Sequence, residues 1–452
     1  MRQKKYEIDM TSGPILNKLL LFAIPLMASS LLQLLFNAAD TIVVGKFAGD
    51  TALGAVGSTS ALINLMVNLF LGLSVGTNVL VARFFAAKQE KDLSETIHTS
   101  ILLSFVSGIF LLVIGVLFSK YFLIWMGSPD GVRELSTLYL QIYFLGTPAM
   151  LLYNFGAAIL RATGDTQRPL YYLIIAGIIN VILNLFFVIV FHMSVAGVGI
   201  ATVISQCVSA FLVLRCLIQS TGSIHFEISK LHIHRDKFFR ILQIGLPASF
   251  QGLLFSLSNV IIQASVNSFG EITVAGNSAA ASIEGFVYVS MNAFHQAAIT
   301  FTSQNMGAGK KERVVPILLR AQMCVIVTGL ILGNLAVFFG DPLLHLYTNN
   351  PKAISAGLVR LLYICAPYFL CGMMDVMVGS LRGLGYSVMP MIVSLIGACG
   401  LRLIWIFTFF QTERFHYIES LYATYPVSWS VTCFAHIICF IIVWHKIKNK
   451  NT

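Results

Sequence analysis

Charge is what this sequence has least of. Only 11% of its 452 residues are charged, while 57% are hydrophobic. A soluble domain carries roughly a quarter charged residues, so a soluble globular class is excluded. The mean hydropathy of +0.82 points to a polytopic helical membrane protein. Paired cysteines are missing as well. Cys207, Cys216, Cys324, Cys365, Cys371, Cys399, Cys433 and Cys439 form no CxxC and all fall in or beside apolar stretches. They read as buried free thiols, with no disulfide framework and no metal-ligand set. No GxxxxGK[ST] loop occurs, which argues against a self-powered pump. No nucleophile–base set occurs either, so no enzyme is expected. The polar start is too long for a cleavable signal peptide, and the apolar run behind it is too long for a signal core. The net charge of +10 could suit nucleic acid, but basic residues kept on the cytoplasmic side give the same excess. No nucleic-acid partner and no cofactor are expected.

What is present is a series of apolar runs. A membrane span needs about 20 such residues. Twelve segments qualify, near 16–40, 52–80, 96–120, 134–158, 169–191, 195–217, 239–268, 275–303, 315–339, 353–378, 388–410 and 421–445. With the N-terminus in the cytoplasm, the tails and even-numbered loops with their span ends hold 22 of the 29 Lys and Arg. Six fall on the other side, and Arg402 lies within a span. That bias sets the orientation: a plasma (inner) membrane protein with both termini cytoplasmic. The expected parts are a tail at 1–15, a six-helix bundle at 16–218, a basic linker at 219–238, a second bundle at 239–446, and a tail at 447–452.

The halves repeat. A shift of 222 places Pro25 on Pro247, Asn37 on Asn259, Gly54 on Gly276 and Lys88 on Lys310. A shift of 221 places Leu160-Arg161 on Leu381-Arg382, Gly164 on Gly385 and Pro169 on Pro390. Six spans return the chain to its starting side, so the halves share one orientation. Such repeats typify secondary transporters, with the substrate path between halves. The fold class expected is therefore all-α: twelve transmembrane helices in two pseudo-symmetric six-helix bundles around a central cavity.

One carboxylate stands out. Asp40 lies inside the apolar stretch Leu19 to Gly45, where a charge is costly and by default functional. At about 1.5 Å per residue, position 40 reaches the outer half of the bilayer. Asn180, Asn184, Thr202 and Tyr139 fall at matching depths, and Asn180 and Asn184 share a helix face. A carboxylate, two amides and two hydroxyls suit a bound proton or a small hard cation. Na⁺ at Asp40, Asn180, Asn184 and Thr202 is the one metal ion considered. The bland reading of the amides and hydroxyls is interhelical hydrogen bonding alone. In the repeat, Asp40 falls on Ile262. The second half has Glu284 and Asp375 instead. These either face the cavity or pair internally with Arg402 or His295. Tyr288, Met291, Phe294 and His295 follow Glu284 along one broad stripe, read either as packing or as a wall for an organic cation. The substrate-cavity set is Gln33, Asn37, Asn154, Glu284, Tyr288, Met291, His295 and Asp375. His232 and His234 read as a solvated surface pair, and Gly197-Val198-Gly199 as close helix packing.

Several stretches carry a resemblance nearly end to end: IPLMASSLLQLLFNAADTIVVGKFAG (24–49), ILRATGDTQRP (159–169), GVGIAT (197–202), TFTSQNMGAGKKERV (300–314) and SLRGLGYSVMP (380–390). The sequence resembles the multidrug and toxic compound extrusion (MATE) family, closer to its prokaryotic DinF-like branch. The resemblance implies two six-helix bundles, alternating access, and export of amphipathic, often cationic compounds driven by inward H⁺ or Na⁺. It also implies coupling at Asp40, Tyr139, Asn180, Asn184 and Thr202. A well-known form of that cluster has a second carboxylate where this chain has Asn184, which favours H⁺ over Na⁺. The expected partners are small amphipathic or cationic compounds and membrane lipid, with the protein a monomer. The alternatives are a flippase for lipids or lipid-linked oligosaccharides, which calls for a basic cavity wall, and a membrane sensor without transport.

Overall fold

The computed structural model describes residues 6–128, 130–220 and 222–449, the Asp50 side chain excepted. The ends of both expected tails, 1–5 and 450–452, lie outside the described residues. Among the described residues every regular element is helical. In chain order these are α1 (Ile15–Phe47), α2 (Asp50–Ala86), α3 (Glu90–Trp125), α4 (Asp130–Leu145), α5 (Thr147–Ala162), α6 (Gln167–Leu185), α7 (Ser194–Ile218) and α8 (Arg235–Asn267). The second half continues with α9 (Glu271–Gly307), α10 (Val314–Phe338), α11 (Gly340–His345), α12 (Pro351–Arg360), α13 (Phe369–Gly383), α14 (Val388–Ser394), α15 (Leu401–Phe407) and α16 (Ile418–Asn449).

Nine of the described helices are long and apolar enough to cross a membrane, and 11 if each bent pair counts as one span. α9 makes a twelfth pass of 37 residues; its many Ser, Asn, Gln and His keep it less apolar. Large side chains such as Ile42, Leu117, Phe338 and Phe434 are exposed, as lipid-facing groups are. Two expected spans are not continuous. The one near 134–158 is α4 and α5, bent by 45°, and the one near 353–378 is α12 and α13, bent by 42°. Pro148 and Pro367 stand at these breaks, where a missing N–H ends one helix and starts the next.

The chain forms two compact units. One holds residues 1–9 and 28–249, the other 10–27 and 250–452. Their edges fall inside α1 and α8, next to Pro25 and Pro247, rather than at the expected linker. In the first unit α5 packs on α2, α3 and α7, and α6 packs on α7. In the second, α9 packs on α10, α12 and α13. The repeat is visible element by element. α1 and α8 have 33 residues each, and α2 and α9 have 37 each. Gly49 and Gly270 precede the latter pair at φ 87° and 88°. The turns at Gly164 and Gly385 match too, at φ 96° and 97°, a region costly for any residue with a Cβ.

The basic linker is pinned to the first unit. Buried His98 on α3 meets the Glu227 backbone, whose N–H lies 3.2 Å from its Nε2. The His234 N–H donates to Thr99 Oγ1 at 3.0 Å. Lys237, buried, meets Asp92, Glu95 and Asp236.

Candidate functional site

In the first unit, four of the five expected coupling residues are joined by hydrogen bonds. Asn184, near the C-terminus of α6, donates from Nδ2 to Asp40 Oδ1 on α1. The same amide donates to Asn180 Oδ1 at 3.2 Å. Asn180 donates to Thr202 Oγ1 on α7 at 3.4 Å, and Thr202 donates to the Val198 carbonyl at 2.9 Å. The spacing of four brings Asn180 and Asn184 onto one face, and both are buried. A π-helical turn, Phe186–Val190, follows directly. Such turns widen a helix locally and are frequent at functional sites. Asn184 is 1% exposed, yet its Oδ1 has no hydrogen-bond partner.

Tyr139 is not part of that chain. It is buried against Gly199 and Tyr143, close enough to feel the Asp40 charge but not hydrogen-bonded to it. Tyr143 and Gln206 stand beside it and are not among the expected residues; the Tyr143 hydroxyl meets Met150 Sδ at 3.8 Å, and Gln206 Oε1 has no hydrogen-bond partner among the described residues. Their signal was available: Tyr143 lies four after Tyr139, and Gln206 four after Thr202. The cluster borders the apolar core of Val43, Val44, Phe144, Val188 and Val198. Gln33 and Asn37 are exposed on α1. Asn154 turns back to the Met150 carbonyl at 2.8 Å, so its amide is spent within its own helix.

In the second unit the carboxylates find partners that the sequence did not indicate. Glu284 pairs with neither Arg402 nor His295. Its Oε2 accepts from Arg360 at 2.6 Å and its Oε1 from the Tyr368 hydroxyl at 3.0 Å. Arg360 also donates to Asn277 at 2.7 Å, as does Tyr422 at 2.9 Å. Both Glu284 oxygens are therefore engaged, and it offers no free charge to a ligand in this arrangement. Asp375 lies beside Tyr288. Arg382 lies near Asp375 and donates to Gln251 at 2.8 Å.

Two expected cavity residues are packing residues. Met291 is buried, with its sulfur 2.9 Å from where a Cβ on Gly329 or on Gly372 would sit. It fills the gap between α9, α10 and α13. His295 is buried against Gly379 and donates Nδ1–H to the Asp375 carbonyl at 2.6 Å. Helix contacts claim both side chains, which the stripe alone did not decide. No group of three or more His, Cys, Asp or Glu converges on a metal-sized point among the described residues.

The order of these parts is matched by a known family. The MatE family model fits twice, at residues 25–186 and 247–408. The chain belongs to the MatE family. The two MatE matches fall on the two halves that the internal repeat relates. A relative named probable multidrug resistance protein YpnP, of Bacillus subtilis (strain 168), is 28% identical over 87% of this chain and 88% of its own. A relative named FAD transporter, of Shewanella oneidensis, is 26% identical over 76% of this chain and 77% of its own. A multidrug resistance MATE family transporter solved in an outward-facing conformation shares the fold, with a TM-score of 0.89 at 20% identity. It covers 97% of this chain and 98% of its own. This MatE chain is thus a multi-pass membrane protein of a transporter family, not an enzyme.

Proposed function

We propose that this protein is a secondary active multidrug exporter, moving small amphipathic compounds outward by alternating access in exchange for H⁺ entering at Asp40. The observation that carries the reading is the hydrogen-bonded chain from Asp40 through Asn184 and Asn180 to Thr202. An ionised Asp40 accepts the Asn184 N–H. A protonated Asp40 gains a donor, which the unpartnered Asn184 Oδ1 accepts once the amide turns over. One proton thus reverses the polarity of one buried hydrogen bond and reorients α6 against α1. Na⁺ fits less well. A hard cation needs converging oxygens. Here Asn180 Oδ1 already receives an N–H, and Asn184 presents nitrogen to the carboxylate.

The positive-inside bias supports a plasma membrane location with both termini cytoplasmic, and a monomer suffices for the mechanism. The YpnP relative's name supports small organic substrates. The test is export of a fluorescent organic compound from proteoliposomes under pH and Na⁺ gradients applied separately. A pH gradient should drive it, and Asp40→Asn should abolish that response while the protein inserts normally. Full export by the variant would sink the coupling role.

A second reading, flipping of a lipid-linked oligosaccharide, is favoured by one observation. Besides Arg402, Arg360 and Arg382 are also buried in the second unit, so that unit is more basic inside than its sequence indicated. Protection of a labelled lipid diphosphate from an external reagent, dependent on these arginines, is its test.

A further inference from the structure

The second unit holds a cation without a counter-ion. Arg402, the second residue of α15, directly follows the π-helical turn Leu395–Gly400. It is 6% exposed. Its Nε donates to Ser428 Oγ at 2.8 Å, and that hydroxyl donates onward to the Tyr425 carbonyl at 2.9 Å. Its guanidinium carbon lies 4.0 Å from the Tyr425 ring centroid and 5.5 Å from that of Trp429. No carboxylate is within ion-pair distance among the described residues. Glu284 is saturated by Arg360 and Tyr368. The two terminal nitrogens of Arg402 bond nothing among the described residues, and neither is among the sealed-off polar atoms. Arg360 and Arg382 differ, since each binds a side-chain oxygen through a terminal nitrogen.

An arginine keeps its charge in proteins. The ring faces on one side satisfy it partly, but a desolvated charge still calls for a partner of opposite sign. What remains open is the terminal fork, four N–H groups in the plane that matches carboxylate or phosphate. The fork ends a row of rings. Tyr425 meets Trp429 at 5.6 Å, Trp429 stacks on Tyr368 at 5.2 Å, and Tyr368 meets the partly exposed Tyr288 at 6.3 Å. Tyr425, Trp429 and Tyr368 are themselves buried, so these rings hold the guanidinium in place, and it is the fork that selects an anionic group.

We propose that the second unit carries an anion site centred on Arg402, which takes a phosphate or carboxylate group. Ser428 aims the guanidinium, and Tyr425 with Trp429 backs it. The site is independent of proton coupling at Asp40, so either can fail without the other. The same chemistry is offered by a free organic phosphate and by a lipid headgroup.

The test is binding to the full-length protein in phosphatidylcholine nanodiscs. Riboflavin 5′-phosphate is the probe, with riboflavin and inorganic phosphate as its two halves. The expected result is saturable binding of the probe, at least tenfold tighter than of riboflavin and displaced by inorganic phosphate. Arg402→Gln should lose at least tenfold, Arg402→Lys should lose less, and Arg320→Gln on an exposed face should lose nothing. Ser428→Ala, which frees the guanidinium from its aiming hydroxyl, should weaken the probe severalfold, which keeps the proposal testable if Arg402→Gln fails to insert. In nanodiscs containing phosphatidylglycerol, weaker apparent binding that requires Arg402 supports the site and names lipid phosphate as an occupant. Equal affinity for riboflavin and its phosphate, or unchanged binding in both the Arg402 and Ser428 variants, overturns the proposal.

Discussion

At the scale of single residues, the coupling proposed at Asp40 turns on Asn184, where a second acid would give a cation another oxygen ligand. Asn184→Asp should therefore add Na⁺-driven export to, or substitute it for, the proposed pH-driven export, read in proteoliposomes with each gradient alone. An unchanged ion preference would show that the neutral amide is not what excludes Na⁺. Glu284 holds Arg360 in a pair whose side chains are 14% and 10% exposed. Breaking one side of such a pair costs about 3–5 kcal/mol, whereas replacing both sides with apolar groups is often neutral. Glu284→Gln should lower the melting temperature of the detergent-solubilised protein, and adding Arg360→Met should recover most of the loss. If Glu284 instead bound substrate directly, the double variant would stay stable and lose export, and the two measurements separate these roles.

At the scale of elements, three π-helical turns adjoin three polar residues. Phe186–Val190 comes just after Asn184, Leu361–Cys365 just after Arg360, and Leu395–Gly400 just before Arg402. A π turn inserts one residue into the helical register, and so aims a side chain where regular spacing would not. The turn at 361–365 is held by close packing. A Cβ on Gly333 of α10 would lie 2.1 Å from the Cys365 carbonyl oxygen. Backbone does not yield easily, so Gly333→Ala should destabilise by about 1–3 kcal/mol, as overpacked cores do. Gly285 of α9 is the control: its Cβ would meet nothing within 4 Å. There the Gly→Ala exchange in a helix should be neutral or stabilise by about 0.5–1 kcal/mol. Equal melting temperatures for the two variants would mean that the α10 contact is not rigid.

At the scale of the whole molecule, the distribution of basic residues predicts cytoplasmic termini. A fluorescent reporter fused after Thr452 should be bright, and a periplasm-dependent phosphatase there should be inactive. The opposite pair of results would reverse the assigned orientation. The membrane class, the all-helical fold and the repeat were legible in the sequence. Bilayer thickness imposes a length on every apolar run, and desolvation makes each polar interruption visible. The link between Asn180 and Asn184 was legible because helical periodicity alone brings residues four apart together. The bends at Pro148 and Pro367 were written in the sequence too, although apolar length hid them.

Other features were decided only by packing. Glu284 meets Arg360, 76 residues away, because α9 and α12 lie side by side. Met291 and His295 are packed between helices because glycines on the facing helices leave room for them. Arg402 looked like the natural mate of a buried acid and has none among the described residues, where it meets ring faces and one hydroxyl. The sequence by itself determined which groups enter the membrane, since that cost is local to each helix. The tertiary structure decided which of them neutralise each other, since a few ångströms of helix packing choose between partners that are chemically alike.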